Sequence, residues 1–373
     1  MLTPRADLRN QTDFSEARSE DDAEIRRLLR EHAMPGAVSV SLEREPSLRA
    51  GHELEGGEHR TLVCRDGDKG CIIAVGSGVT RSMWVGGVLT PVAYLTQFRL
   101  DHAARGKRRL IVDGYEHMGA MLRTPCTFTS ILDDNTQARR LLERGLPGMP
   151  TYQYLSPFHT FALGRGKGTS AGSKRVEQLA VSNAAAVASL LTAERGATAL
   201  APAWTEHEIA RLIRTGTLTL LGLRNDNQLQ ACVGVWNLSG VKQAVVRGYT
   251  RTLSLARGAL NMAALALGSP HLPAVGEPLR MRFLSHAALQ RCSYADAQML
   301  LGAACGLARS QGASLIGGAA PDHPLHGLLS QHAWNTMRSR IYSVEWPTNP
   351  GLPPTPSKWP RSEASVHLEV ALL

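Results

Sequence analysis

The hydrophobic pattern is clearest between Pro91 and Leu122, PVAYLTQFRLDHAARGKRRLIVDGYEHMGAML. From Val92 to Leu100, apolar, aromatic and Thr residues follow one another with no helix breaker, which predicts a strand. From Arg109 onward, Leu110, Ile111, Gly114, Met118, Met121 and Leu122 recur at helical spacing. Between the two lies the run Arg105-Gly106-Lys107-Arg108-Arg109. A strand that leaves through a basic, Gly-containing turn and enters a helix directly brings unpaired backbone N–H groups and the positive end of the helix dipole to one spot. That is the outline of a phosphate seat.

The same pattern places the remaining elements. Glu20 to His32 predicts a helix with acidic residues in its first turn and Ile25, Leu28 and Leu29 on one face. Ala37 to Leu42 reads as a short strand or loop, followed by a polar loop. Thr61 to Arg65 and Cys71 to Val79 read as strands joined at Asp66-Gly67-Asp68, with the next turn at Val85-Gly86-Gly87-Val88. Cys126 to Leu132 is a further strand. Asp133-Asp134-Asn135 then caps a helix from Thr136 to Arg144, and Tyr152 to Leu163 closes this half with a strand. Gly164 to Lys174, GRGKGTSAGSK, has almost nothing to bury and reads as a linker.

The second half repeats the theme. Val176 to Leu191 predicts an Ala-rich helix, and Thr205 to Arg214 another, opened by a Thr205/Glu208 capping box. Leu218 to Leu223 and Leu229 to Trp236 form a hairpin around Asn225-Asp226-Asn227. Lys242 to Ala266 alternates and then turns helical. Leu279 to Leu284, Ala295 to Ser310, Ala313 to Gly317, His323 to His332 and Ile341 to Trp346 give strand, helix, strand, helix and strand. The expected division is a flexible N-terminus (1–13), a first domain (14–163), a linker (164–175) and a second domain (176–373). The fold class is α/β in the broad sense: two domains in tandem, each a mixed, mostly antiparallel sheet flanked by helices.

Composition narrows the function. A hydrophobic content of 43% and a charged content of 20% over 373 residues describe a globular chain long enough for two cores. No apolar run approaches the roughly 18 residues of a membrane span, and no signal-peptide core opens the chain, so a cytoplasmic protein that does not enter the membrane is expected. The six cysteines are scattered, without metal or redox spacing, and are read as free thiols. A net charge of +9 points to a polyanionic partner, for which CoA, a phosphopantetheine carrier protein, tRNA and DNA all qualify, or merely to a solvated surface. No Walker loop, Ser/His/Asp order or zinc pattern is present, and no metal is expected.

The strand, turn and helix around Arg105 resemble the acyl-CoA-binding motif of the GNAT superfamily of N-acyltransferases, whose turn reads Arg/Gln-x-x-Gly-x-Gly/Ala. Leu100 stands at the strand end and Arg105-Gly106-Lys107 keeps the Arg-Gly-Lys run, whereas Arg108 and Leu110 replace the usual small residues. Asn135 to Ala138 and Arg144-Gly145-Leu146 resemble that family's last helix, with Leu142 where members often carry a Tyr acid. The resemblance covers Phe14 to Leu163 and, more faintly, Val176 to Trp346.

It implies a donor seat of Arg99, Leu100, Arg105, Gly106, Lys107, Arg108, Arg109, Leu110 and Asn135. Asp133 is the candidate for proton removal, or else only a helix cap; Tyr94 and Gln97 are candidates to orient the acceptor. In the second half Trp236, Lys242, Tyr249, Arg257, Asn261, His286, Arg340 and Tyr342 are the polar side chains that could face a cleft. Three readings follow. The first is acyl transfer from acyl-CoA or an acyl carrier protein to a small-molecule amine. The second is aminoacyl transfer from aminoacyl-tRNA, as in the tandem GNAT proteins that build peptidoglycan bridges, in which case no CoA would be needed and Lys107, Arg108 and Arg109 would clamp RNA phosphates. The third is a non-catalytic ligand sensor. The oligomeric state is left open.

Overall fold

In the computed structural model the described residues are 12–67, 70–104, 106, 108–145, 147–164, 175–195, 198–266, 271–347, 359 and 365–373. Arg105, Lys107 and most of the expected linker lie outside them. The first half runs β1 (Thr12–Glu16), α1 (Asp22–Glu31), β2 (Val38–Glu43), α2 (Leu48–Glu55), β3 (Glu58–Asp66), β4 (Ile72–Val85), β5 (Val88–Leu100), α3 (Arg108–Leu122), β6 (Cys126–Leu132), α4 (Thr136–Leu142) and β7 (Thr151–Leu163). The second runs β8 (Glu177–Leu179), α5 (Ala184–Arg195), β9 (Ala201–Pro202), α6 (Glu206–Arg214), β10 (Leu218–Asn225), β11 (Gln228–Trp236), β12 (Gln243–Tyr249), α7 (Arg251–Ala266), β13 (Met281–Ala288), α8 (Tyr294–Ser310), β14 (Ser314–Ala319), α9 (Pro324–His332) and β15 (Ala333–Glu345).

Two expectations are corrected here. The polar loop after β2 contains α2, which Ser47 starts by accepting a hydrogen bond from the Ala50 N–H. The helix expected from Val176 begins only at Ala184, because Glu177–Leu179 pair with β10 as an edge strand. A hairpin partner outcompetes helix propensity over those three residues.

Thirteen strands form one sheet in the order β1-β3-β4-β5-β6-β15-β7-β14-β13-β11-β10-β8, with β9 on β4; β2 and β12 pair separately. Within the path the neighbours are antiparallel except for β5–β6 and β13–β14, which are parallel. The sheet therefore reads alike from both ends, and its two last strands are exchanged at the centre. β15 lies against β6, β7 lies against β14, and β7 and β15 pair with each other from Thr151/Glu345 to Leu163/Ala333.

Each half has helices on both faces. Ile25, Leu28, Leu29 and Leu48 of α1 and α2 pack on Val63, Ile72 and Val75, while Met118 and Leu122 of α3 pack on Leu62 and Ala93. In the second half α8 and α9 cover Leu223, Val233 and Leu315, and α5 and α6 cover Leu218, Leu220 and Trp236 on the other face. Residues 365–373 join the latter cluster through Val366, Leu368, Val370 and Ala371. All six cysteines are free thiols, four of them buried.

Candidate functional site

The two parallel pairs are short, and each opens at a bulge. β5 pairs with β6 only from Val92/Cys126 to Leu95/Thr129. On its other edge β5 slips against β4, with Ser77 opposite Thr96 and Val75 opposite Arg99, so that Gln97 and Phe98 share one place beside Gly76. Gln97 sits at φ +58°, a left-handed backbone that a non-glycine residue adopts only where its surroundings hold it there. A bulge sharpens the twist of its strand, and this one swings β5 away from β6. The Thr129 hydroxyl donates to the Leu95 carbonyl at 2.9 Å, where the pairing stops. On its β6 edge, β5 thus has no strand partner beyond Leu95 among the described residues.

The gap leads to the turn before α3. Gly106 has φ +83°, and the Arg108 N–H donates to its carbonyl at 3.0 Å. Arg108 and Arg109 are exposed, whereas the Leu110 side chain is buried with Cys64, Ile73 and Ala74, which leaves only its backbone for a ligand. Leu100 pairs with Ala74, and the Arg99 guanidinium donates to the Phe98 carbonyl. Asn135 caps α4 through the Ala138 N–H.

Across the opening run Tyr115, Tyr152 and Tyr342: the first two share a 2.6 Å hydroxyl contact, and Tyr342 donates to Glu143. The Asp133 carboxylate accepts from Arg340 Nε at 2.7 Å and Arg139 Nη1 at 3.1 Å, and the Arg340 contact holds its pKa below the usual range. Asp133 lies five residues beyond Phe128, the partner of Tyr94, or roughly 16 Å along the strand. The structure does not bring Asp133 and Tyr94 together.

On the opposite face of β4 and β5, toward α2, lies a cavity lined by Tyr94, Thr96, Gln97, Ser77, Glu55 and His59, among others. Its polar groups are interlocked. The Gln97 amide, oriented so that both ends are satisfied, donates to Ser77 Oγ at 3.0 Å and accepts from Arg44 Nε at 3.0 Å. Arg44 in turn donates to Glu55 at 2.6 Å, and Lys242 Nζ lies 3.7 Å from the same carboxylate. Burial pushes the Glu55 pKa up, but Arg44 and Lys242 outweigh it and the group falls to about 2. Lys242, which also donates to the carbonyls of Ala371 and Leu373, is pulled down by burial to about 8. Burial takes His59 down to about 4, so this ring is neutral near pH 7; its Nε2 meets the Gly56 carbonyl and must carry the proton there. Burial raises the Tyr94 hydroxyl to about 12. Tyr94 is therefore a hydrogen-bond donor across the working pH range and not a base.

The second half has the same opening in altered form. β13 slips against β11 between Ala288/Cys232 and Ser285/Gly234, and the bulged residue His286 has φ +48°. Here the gap is taken by the chain itself. The Glu369 carboxylate accepts from the His286 N–H at 3.0 Å and from Trp204 Nε1 at 3.1 Å, and Val370 packs beside Gly318.

Sequence reasoning found the organising strand, the basic turn, Tyr94 and Gln97, and named Lys242 and His286 among cleft candidates. It missed Arg44, Glu55, His59 and Glu369. Charged residues in such segments are ordinary surface residues by pattern, and only their burial singles them out. Tyr249, Arg257 and Asn261 instead hold the carbonyls of Leu272 and Pro273. Among the described residues no group of three or more His, Cys, Asp or Glu side chains could hold a metal ion, and no helix is long and apolar enough to cross a membrane.

No protein-family model matches the chain, and no curated protein matches it. Solved structures do. N-myristoyltransferase of Saccharomyces cerevisiae, with bound myristoyl-CoA, superposes with a TM-score of 0.60 at 12% identity, over 98% of this chain and 91% of that one. A GCN5-related N-acetyltransferase from Kribbella flavida gives a TM-score of 0.50 at 14% identity, over 89% of this chain and 70% of that one. Identities this low speak for architecture, and the architecture agrees with the bulged, opened parallel pair found in both halves. The chain thus has the GNAT fold, built twice in tandem.

Proposed function

We propose that the protein is an N-acyltransferase that moves an acyl group from acyl-CoA to the amine of a small molecule. The observation that carries this reading is the Gln97 bulge, which opens β5 from β6 and leads directly into the basic turn and the start of α3. A thioester lying in that opening would set its carbonyl against unpaired strand N–H groups, which stabilise a developing oxyanion. Its diphosphate would meet the N-terminal amides of α3 and the exposed Arg108 and Arg109. The amine would enter from the cavity on the α2 face, where Tyr94 donates a hydrogen bond and Gln97 is held by Arg44 and Ser77. Asp133, paired with two arginines, orients the rim near α4 rather than taking a proton. The likeness to a protein that binds myristoyl-CoA supports a CoA thioester as donor.

The test is calorimetric binding of CoA, acetyl-CoA and myristoyl-CoA, followed by release of free CoA thiol in the presence of a panel of amines. Binding together with amine-dependent thiol release is the expected result. Failure to bind any CoA thioester, combined with salt-sensitive binding of aminoacylated tRNA, would overturn the reading in favour of a tRNA donor.

A further inference from the structure

The cavity beneath Tyr94 and Gln97 is poorly suited to a cation. Arg44 and Arg81 line it, and Lys242 stands beside Glu55. Neither side-chain carboxylate in its wall is uncompensated. Glu55 is clamped by Arg44 and Lys242. Glu369 accepts from the His286 N–H and Trp204 Nε1 and is also coupled to Arg81: burial pulls that guanidinium down, while Glu208, Glu55 and Glu369 support its charge. An ammonium ion entering here would leave water for a wall whose negative charges are already matched, which is costly.

His59 offers something else. Its ring lines the same cavity, and its hydrogen bond among the described residues is the 2.9 Å contact between Nε2 and the Gly56 carbonyl. A carbonyl only accepts, so Nε2 carries the proton and Nδ1 keeps its lone pair. His52 stacks on the ring at 3.9 Å and fixes its plane. Burial first, then His52 and Arg81, keep the ring neutral against the pull of Glu55 and the Gly56 carbonyl. A neutral imidazole nitrogen accepts the N–H of a neutral amine and has nothing to offer that an ammonium ion needs for its charge.

We propose that the first half's site takes a weakly basic amine, neutral at working pH, such as an arylamine or a hydrazide, and that His59 Nδ1 receives one of its N–H groups. This rests on the acyl-transfer reading. The step balances without a carboxylate base. The neutral nitrogen forms a C–N bond with the thioester carbonyl carbon, the C–S bond breaks, and one nitrogen proton leaves with sulfur as the CoA thiol. His59 holds the N–H that the amide keeps and ends the step as it began.

Two measurements test this. At pH 7 the wild-type protein should show a kcat/KM about tenfold or more higher for aniline than for benzylamine, which is close in size but protonated there. A preference for benzylamine would overturn the substrate class and leave acyl transfer standing. His59→Gln keeps a donor for the Gly56 carbonyl and removes the Nδ1 acceptor. Its KM for aniline should rise about fivefold, with the KM for acyl-CoA and the melting temperature unchanged. His59→Asn, whose amide oxygen falls near the Nδ1 position, should recover part of the loss, which a purely structural role would not produce. An unchanged KM for aniline in folded His59→Gln would overturn the role of His59. A wild-type protein that transfers no acyl group from any CoA thioester to any amine would overturn the acyl-transfer reading as well.

Discussion

Gln97 and His286 occupy equivalent places in the two halves. Each is the bulged residue of the strand that enters the parallel pair, each has a left-handed backbone (φ +58° and +48°), and each lies where that strand leaves its parallel neighbour. Their surroundings have diverged. Gln97 faces the cavity and is held by Arg44 and Ser77, while the His286 N–H is taken by Glu369. One bulge borders a cavity and the other is filled by the chain itself.

The strain at Gln97 can be measured. Gln97→Gly accepts the positive φ freely, whereas the β-branched Gln97→Val does not. The valine variant should be less stable than the glycine variant by about 1–2 kcal/mol in urea unfolding. Equal stabilities would mean that the bulge relaxes on substitution.

The buried ion network should shape the pH profile of stability. Glu55 has a folded pKa of about 2 against a usual 4.5, so its contribution is complete above pH 4.5 and is lost as pH falls toward 2. Glu55→Gln leaves Arg44 and Lys242 buried without their carboxylate, which should cost about 3–5 kcal/mol at pH 7. The deficit should shrink when unfolding is repeated near pH 2.5. A deficit that is the same at both pH values would show that lost packing, not lost charge, is responsible.

Packing at the seam between the halves is tight around Gly318. A Cβ there would stand 2.5 Å from Phe158 Cζ and 3.1 Å from Val370 Cβ, and Phe158 is fully buried. Gly318→Ala should therefore destabilise by about 1–3 kcal/mol, read by thermal unfolding. Gly327→Ala, in α9 with open space around it, serves as the control and should not destabilise.

At the start of α3 the arginines are exposed and bear no packing. Replacing Arg108 and Arg109 together with Ala should leave the melting temperature unchanged and weaken CoA binding about tenfold at low salt, by calorimetry. Unaltered affinity would take these side chains out of the donor seat.

What the sequence determined by itself was local. Period-two and period-3.6 patterns located β5, α3, β6 and α8, Asn135 and the Thr205/Glu208 box set helix starts, and Gly106 marked the turn, because these depend on neighbours a few residues apart. It also showed that the halves end alike. Only the tertiary structure decided that β7 and β15 change places, since a strand's pattern records that it is paired and not with which strand. The bulges at Gln97 and His286 were equally invisible, as neither is the glycine or asparagine that announces a positive φ. The charges of Arg44, Glu55 and Glu369 read as surface in sequence and come together with Lys242 only when segments roughly 200 to 300 residues apart bury them, in a medium where each must find a partner.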